Sequence, residues 1–77
     1  MNIHLANVML HVNETLDAPH RKALEETLRS EEGVVAVGNH DFAPSLMVVA
    51  YNPRSTNSAS LLRRAADRGV HATLVGL

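Results

Sequence analysis

The chain has 77 residues, a formal net charge of −1, no cysteine, and only two aromatic residues, Phe42 and Tyr51. That length allows one domain over 1–77, close to the lower size at which a core holds without staples. The missing thiols exclude disulfides, thiolate metal ligation and a cysteine nucleophile. The few aromatics and balanced charge leave neither a base-stacking platform nor a field for DNA or an anionic membrane, so no nucleic-acid or membrane partner is expected. No stretch approaches the ~18 apolar residues of a spanning helix. The N-terminal stretch carries His4, Asn7, His11 and Asn13, with no Lys or Arg before Arg21. It lacks the basic region of a secretory signal, so a cytoplasmic location is expected.

From Asn7 to Asn13 the sequence alternates, with Val8, Leu10 and Val12 on one face and Met9 and His11 on the other, which predicts a strand. A polar loop follows, in which Asp17 is a good N-cap and Pro19 suits a first helical turn. Residues Pro19 to Ser30 predict a helix with Ala23, Leu24, Thr27 and Leu28 as its apolar stripe, and Gly33 suits a left-handed stop. Val34 to about His40 predicts a second strand, and Asp41 to Ser45, with Pro44, a hairpin loop. Leu46 to Tyr51 is apolar on both parities, as a central strand would be. Asn52 and Pro53 end it. A second helix is expected from Ser58 or Ala59 to Arg68, striped by Leu61, Leu62, Ala65 and Ala66 and stopped by Gly69. Val70 to Leu77 predicts the last strand.

The order is β-α-β-β-α-β. Right-handed crossovers then put both helices on one face of a four-stranded antiparallel sheet. The expected class is α+β, a ferredoxin-like two-layer sandwich.

Spacing adds a resemblance. Gly33-Val34, then Tyr51-Asn52-Pro53, then Gly69-Val70-His71-Ala72, with 18 positions from Tyr51 to Gly69, resemble the heavy-metal-associated, copper-chaperone-like domains over about Val8 to Leu74. That family carries a Met-x-Cys-x-x-Cys loop between its first strand and first helix. Counting back from Gly33, the two cysteine positions fall on Asp17 and His20, and the methionine position on Thr15. The chain is identified as a degenerate member without the paired cysteines. Glu31 and Val70 also stand where the family commonly has other residue types.

Five histidines, His4, His11, His20, His40 and His71, are the compositional anomaly. With sulfur absent, a carboxylate and an imidazole three residues apart at a helix start suit Zn²⁺, Ni²⁺, Co²⁺ or Cu²⁺ better than Cu⁺. The candidate metal ligands are Asp17 and His20, with His71 as a third, because the last strand should pair antiparallel with the first and bring His71 to the loop's end of the sheet. The competing reading is that Asp17 only caps the helix and His20 only occupies its first turn. A second feature is the sheet face turned from the helices, where Leu46, Val48, Ala50, Met9 and Val75 make an apolar surface. A third is Arg63, Arg64 and Arg68 on the second helix, which suit an acidic partner or a solvated face.

No Gly-rich phosphate loop, nucleophile elbow or facing carboxylate pair occurs, so no enzymatic activity is expected. The first functional expectation is a small metal-handling protein that binds a divalent transition metal through His and Asp and meets a metal transporter or metalloprotein. The alternative is a metal-independent protein–protein interaction or dimerisation module on the same fold, with a homodimer through the open sheet face.

Overall fold

The computed structural model describes residues 4–40 and 43–75. The elements run β1 (Ala6–Val12), α1 (Ala18–Arg29), β2 (Val34–His40), β3 (Ala43–Tyr51), α2 (Ser58–Asp67) and β4 (Ala72–Val75). The sheet order is β2-β3-β1-β4, antiparallel throughout. This is the ferredoxin-like two-layer sandwich, with both helices on one face. The long β3 is central, as its two-sided apolar sequence requires.

Strand alternation sets the core. Leu10 and Val12 of β1, Val37 of β2, and Met47 and Val49 of β3 point at the helices and are buried. They meet Leu24 and Leu28 of α1 and Leu61 and Ala65 of α2, residues at i and i+4 on each helix. Val8, Leu16, Val34, Tyr51, Leu62 and Ala72 pack around this cluster. Among the described residues no buried side-chain polar atom lacks a partner.

Three expectations are corrected. β3 starts at Ala43, earlier than the Leu46 expected from Pro44. Ala43 and Pro44 precede Leu46, the first β3 residue paired with β1, so a proline there breaks no ladder on that side. The remainder of the expected hairpin loop, Asp41 and Phe42, lies outside the described residues. Val70 is not in β4. Gly69 has φ +74, its N–H donates to the Ala66 carbonyl, and the Val70 N–H donates to the Ala65 carbonyl. That is a Schellman stop, with Val70 buried against the helix it ends. The strand begins at Ala72, and its expected end, Gly76 and Leu77, lies outside the described residues. Gly33 is not the stop of α1, whose C-cap is Ser30. It has φ +98 at the third position of a turn closed by the Val34 N–H on the Glu31 carbonyl, the position a type II turn gives to glycine.

Glu31, where the family resemblance suggests another residue type, ties the two helices together. It accepts from the Thr56 hydroxyl at 2.6 Å and from Arg64 Nε at 2.8 Å. Arg64, though exposed like Arg63 and Arg68, is thereby tied into the fold.

Candidate functional site

The loop between β1 and α1 carries the residues singled out from the sequence. Asp17 has extended backbone and caps α1, accepting the His20 backbone N–H at 2.9 Å. Its Oδ1 also lies 2.5 Å from His20 Nδ1. Both side chains are mostly exposed, Asp17 at 63% and His20 at 71%. The structure therefore brings these two together, but into a bond with each other. The helix-start N–H first, and the imidazole second, hold the Asp17 carboxyl below its ordinary value.

His71 has a different partner, one that sequence reasoning missed. Its backbone N–H donates to both carboxylate oxygens of Glu14, and its Nδ1 lies 2.5 Å from Glu14 Oε1. The Asn13 N–H donates to the His71 carbonyl at 2.8 Å. The polar sequence after β1 signals only a loop. What turns Glu14 toward His71 is the pairing of β1 with β4, a contact across 57 positions. The His71 backbone N–H first, then its imidazole, hold the Glu14 carboxyl below its ordinary value.

His71 does lie at the loop's end of the sheet, with its Nδ1 on Glu14. Among the described residues no group of three or more His, Cys, Asp or Glu side chains is placed to hold one ion. His11 faces away from the helices and lies 3.3 Å from Asn13 Oδ1. His4 is exposed, and the side chain of His40 lies outside the described residues. A shallow cleft of about 360 Å³ adjoins the loop, lined by Glu14, Thr15, Leu16, Arg21 and Met47 among others.

Three carboxylates thus titrate low in the folded state. Glu14 and Asp17 are joined by Glu31, which is lowered by the Thr56 hydroxyl and then Arg64. A carboxyl lowered on folding stabilises the native state at any pH above its unfolded value, and that contribution is lost as pH falls through the folded value. Ordinary values of 4.5 for Glu14 and Glu31 and 3.8 for Asp17 set the window. The melting temperature should be insensitive to these groups above about pH 5 and fall progressively below pH 4. Melts of the native chain and Glu14→Gln across that range check it, with the variant losing part of the acid-side slope.

No protein-family model matches the sequence, and no curated protein matches it. Solved structures do match. Oxidized MerP from Ralstonia metallidurans CH34 superposes with a TM-score of 0.85 at 20% identity, covering 95% of this chain and all of that one. The N-terminal domain of a potential copper-translocating P-type ATPase from Bacillus subtilis, in its Cu(I)-loaded state, gives 0.85 at 22% identity, covering 95% of this chain and 90% of that one. A CopZ metallochaperone gives 0.79 at 16% identity, covering 88% of this chain and all of that one. No helix among the described residues is long and apolar enough to cross a membrane. At these identities the likeness is one of fold, and the fold is that of the copper-chaperone-like heavy-metal-associated domains, carried here by a chain without a single cysteine.

Proposed function

We propose that this chain is a non-catalytic, metal-independent protein–protein interaction module built on the heavy-metal-associated fold. One observation carries the reading: the oxygen and nitrogen donors around the β1–α1 loop are paired off within the fold and do not converge on one point. Asp17 is bonded to the backbone and imidazole of His20, and His71 to Glu14. A tight transition-metal site needs three or four converging ligands, and no such group is found among the described residues. The polar loop serves as cap and clasp, and the sheet face turned from the helices is left as the association surface. A cytoplasmic location belongs to the same proposal, and cell fractionation checks it.

A second reading is supported by Asp17 and His20 standing side by side where the resemblance places two sulfurs. It gives a weak divalent site of Asp17 and His20, completed by His71 only if its imidazole swings toward the same ion, with a metal transporter or metalloprotein as partner. Thermal melting with EDTA and with Zn²⁺, Ni²⁺, Co²⁺ or Cu²⁺, for the native chain and His20→Ala, separates the two. An ion that binds the folded chain, supplied at about 100 times its dissociation constant, adds roughly 2.7 kcal/mol. The interaction reading expects coincident melts under all conditions. Stabilisation of the native chain that disappears in His20→Ala would instead establish the metal reading.

A further inference from the structure

We infer that the occupant of the open sheet face is a second copy of this chain, packed face to face about a two-fold axis that lies between the sheets and runs across the strands. The inference rests on the interaction reading above and names its partner.

Strand register places the outward residues in three rows. The central row runs Gly38–Val48–Met9–Val75 across the four strands, each a direct partner of the next. On one side of it lie Ala36, Ala50 and Asn7, and on the other Leu46, His11 and Thr73. No Asp, Glu, Lys or Arg stands in any row, although the chain has fifteen such residues, seven basic and eight acidic. A charged partner would gain nothing here, whereas an uncharged face is free of self-repulsion.

The rows are also complementary to themselves. A two-fold axis along the central row lays each strand antiparallel over its own copy. The central row then meets itself, with Met9 on Met9 and Val48 on Val48. The flanking rows exchange, as an isologous interface demands. Ala50 meets Leu46 of the other copy, small against large, which lets side chains interdigitate. Asn7 meets His11 of the other copy, an amide against an imidazole, twice per dimer. Sheets pack about 10 Å apart, a gap these two side chains span with one hydrogen bond between them. The angle of about 30° between packed sheets displaces the outer strands and leaves the β1 and β3 contacts in place. Any other in-plane axis puts Asn7 on Asn7 or shifts Leu46 away from Ala50.

Area sets the strength. Four strands about 4.8 Å apart and roughly five residues long give a footprint of about 300 Å² per copy. With side chains included, the two copies bury on the order of 1,000 Å², the lower edge of specific interfaces. The dimer is therefore weak, with a dissociation constant on the order of 0.1 mM.

Sedimentation equilibrium in EDTA from about 5 µM to 1 mM tests the inference, bracketing that constant. The native chain should pass from monomer to dimer over this range. Val48→Lys buries two unpaired charges in the interface and should weaken association by roughly 100-fold or more, with its melting at low concentration unchanged. The register has its own test in the double variant Asn7→Asp with His11→Lys. Under the proposed axis these changes oppose unlike charges, so the double variant dimerises at least as well as the native chain and loosens with salt. A double variant that dissociates, or a Val48→Lys chain that dimerises like the native one, overturns the packing. A native chain that stays monomeric to 1 mM overturns the homodimer while leaving the interaction reading to a foreign partner. Stabilisation by Zn²⁺ that His20→Ala abolishes would overturn that reading instead.

Discussion

Leu28→Ala should lower stability by about 2–5 kcal/mol, the range for a fully buried leucine. Leu28 has no solvent exposure and lies where α1 meets the sheet and α2. A chain of 77 residues has a total stability of only about 4–12 kcal/mol at the usual 0.05–0.15 per residue. Among the described residues the core is ten buried apolar side chains, and with no cysteine there is no disulfide behind them, so one cavity removes a large part of the margin. At about 4–8 °C per kcal/mol for a domain of this size, the melting midpoint should fall by roughly 10 °C or more. Leu61→Ala, equally buried on α2, should behave alike. Val35→Ala, at a position 63% exposed, should stay within about 0.5 kcal/mol of the native chain. Urea unfolding of the three variants checks the ordering. A Leu28→Ala chain as stable as Val35→Ala would mean that the two-layer packing is wrong.

Gly33→Ala should be the second large loss, and Gly69→Ala a smaller one. Both glycines have positive φ, +98 and +74, so alanine costs roughly 1–2 kcal/mol of backbone strain at each. The surroundings separate them. A Cβ on Gly33 would lie 2.5 Å from Ser55 Cβ, whereas one on Gly69 meets nothing within 4 Å. Overpacking adds about 1–3 kcal/mol at Gly33 alone, for a total of roughly 2–5 kcal/mol. Ser55→Gly in the Gly33→Ala background should recover the steric part and leave the strain, and a double-mutant cycle measures that coupling. Equal losses at the two glycines would contradict the close approach of the β2 turn to the Asn52–Thr56 turn.

That close approach also explains how much of the fold was legible. Gly33-Val34 and Tyr51-Asn52-Pro53 read as separate signatures in the sequence, and in space they are one structure. Val34 pairs with Tyr51, and the Asn52 N–H donates to the Gly33 carbonyl at 2.7 Å. The Asn52 side chain accepts the Arg54 N–H, which holds the turn against the glycine. Local signals of period and punctuation carry such features. The alternation of Val8, Leu10 and Val12 marked the core face, and the helical stripes marked Leu24, Leu28, Leu61 and Ala65. The errors came where a local signal had a second meaning. Pro44 reads as a turn residue, yet it precedes the stretch of β3 that pairs with β1. Val70 reads as the start of a strand, yet it completes a helix stop.

The site was less legible because its contacts are long-range and polar. Asp17 as a cap is written in the sequence, since a cap acts on its own next turn. Whether His20 turns to a metal or to Asp17 is not, because spacing alone fits both. The Glu14–His71 clasp joins the first loop to the start of the last strand, and the Glu31–Thr56–Arg64 group joins the two helices. Neither follows a period. Both depend on which strands and helices become neighbours.

In the proposed reading the sheet face, rather than the β1–α1 loop, is the surface this chain offers to others. Amide resonances followed by NMR report both surfaces at once, first on dilution from about 1 mM, near ten times the expected dissociation constant, and then on adding equimolar Zn²⁺ in small steps. Under that reading dilution moves the amides of Met9, His11, Leu46 and Val48, and Zn²⁺ leaves those of Asp17, His20 and His71 in place. Shifts confined to Asp17, His20 and His71 on adding Zn²⁺, with a sheet face indifferent to dilution, would contradict it.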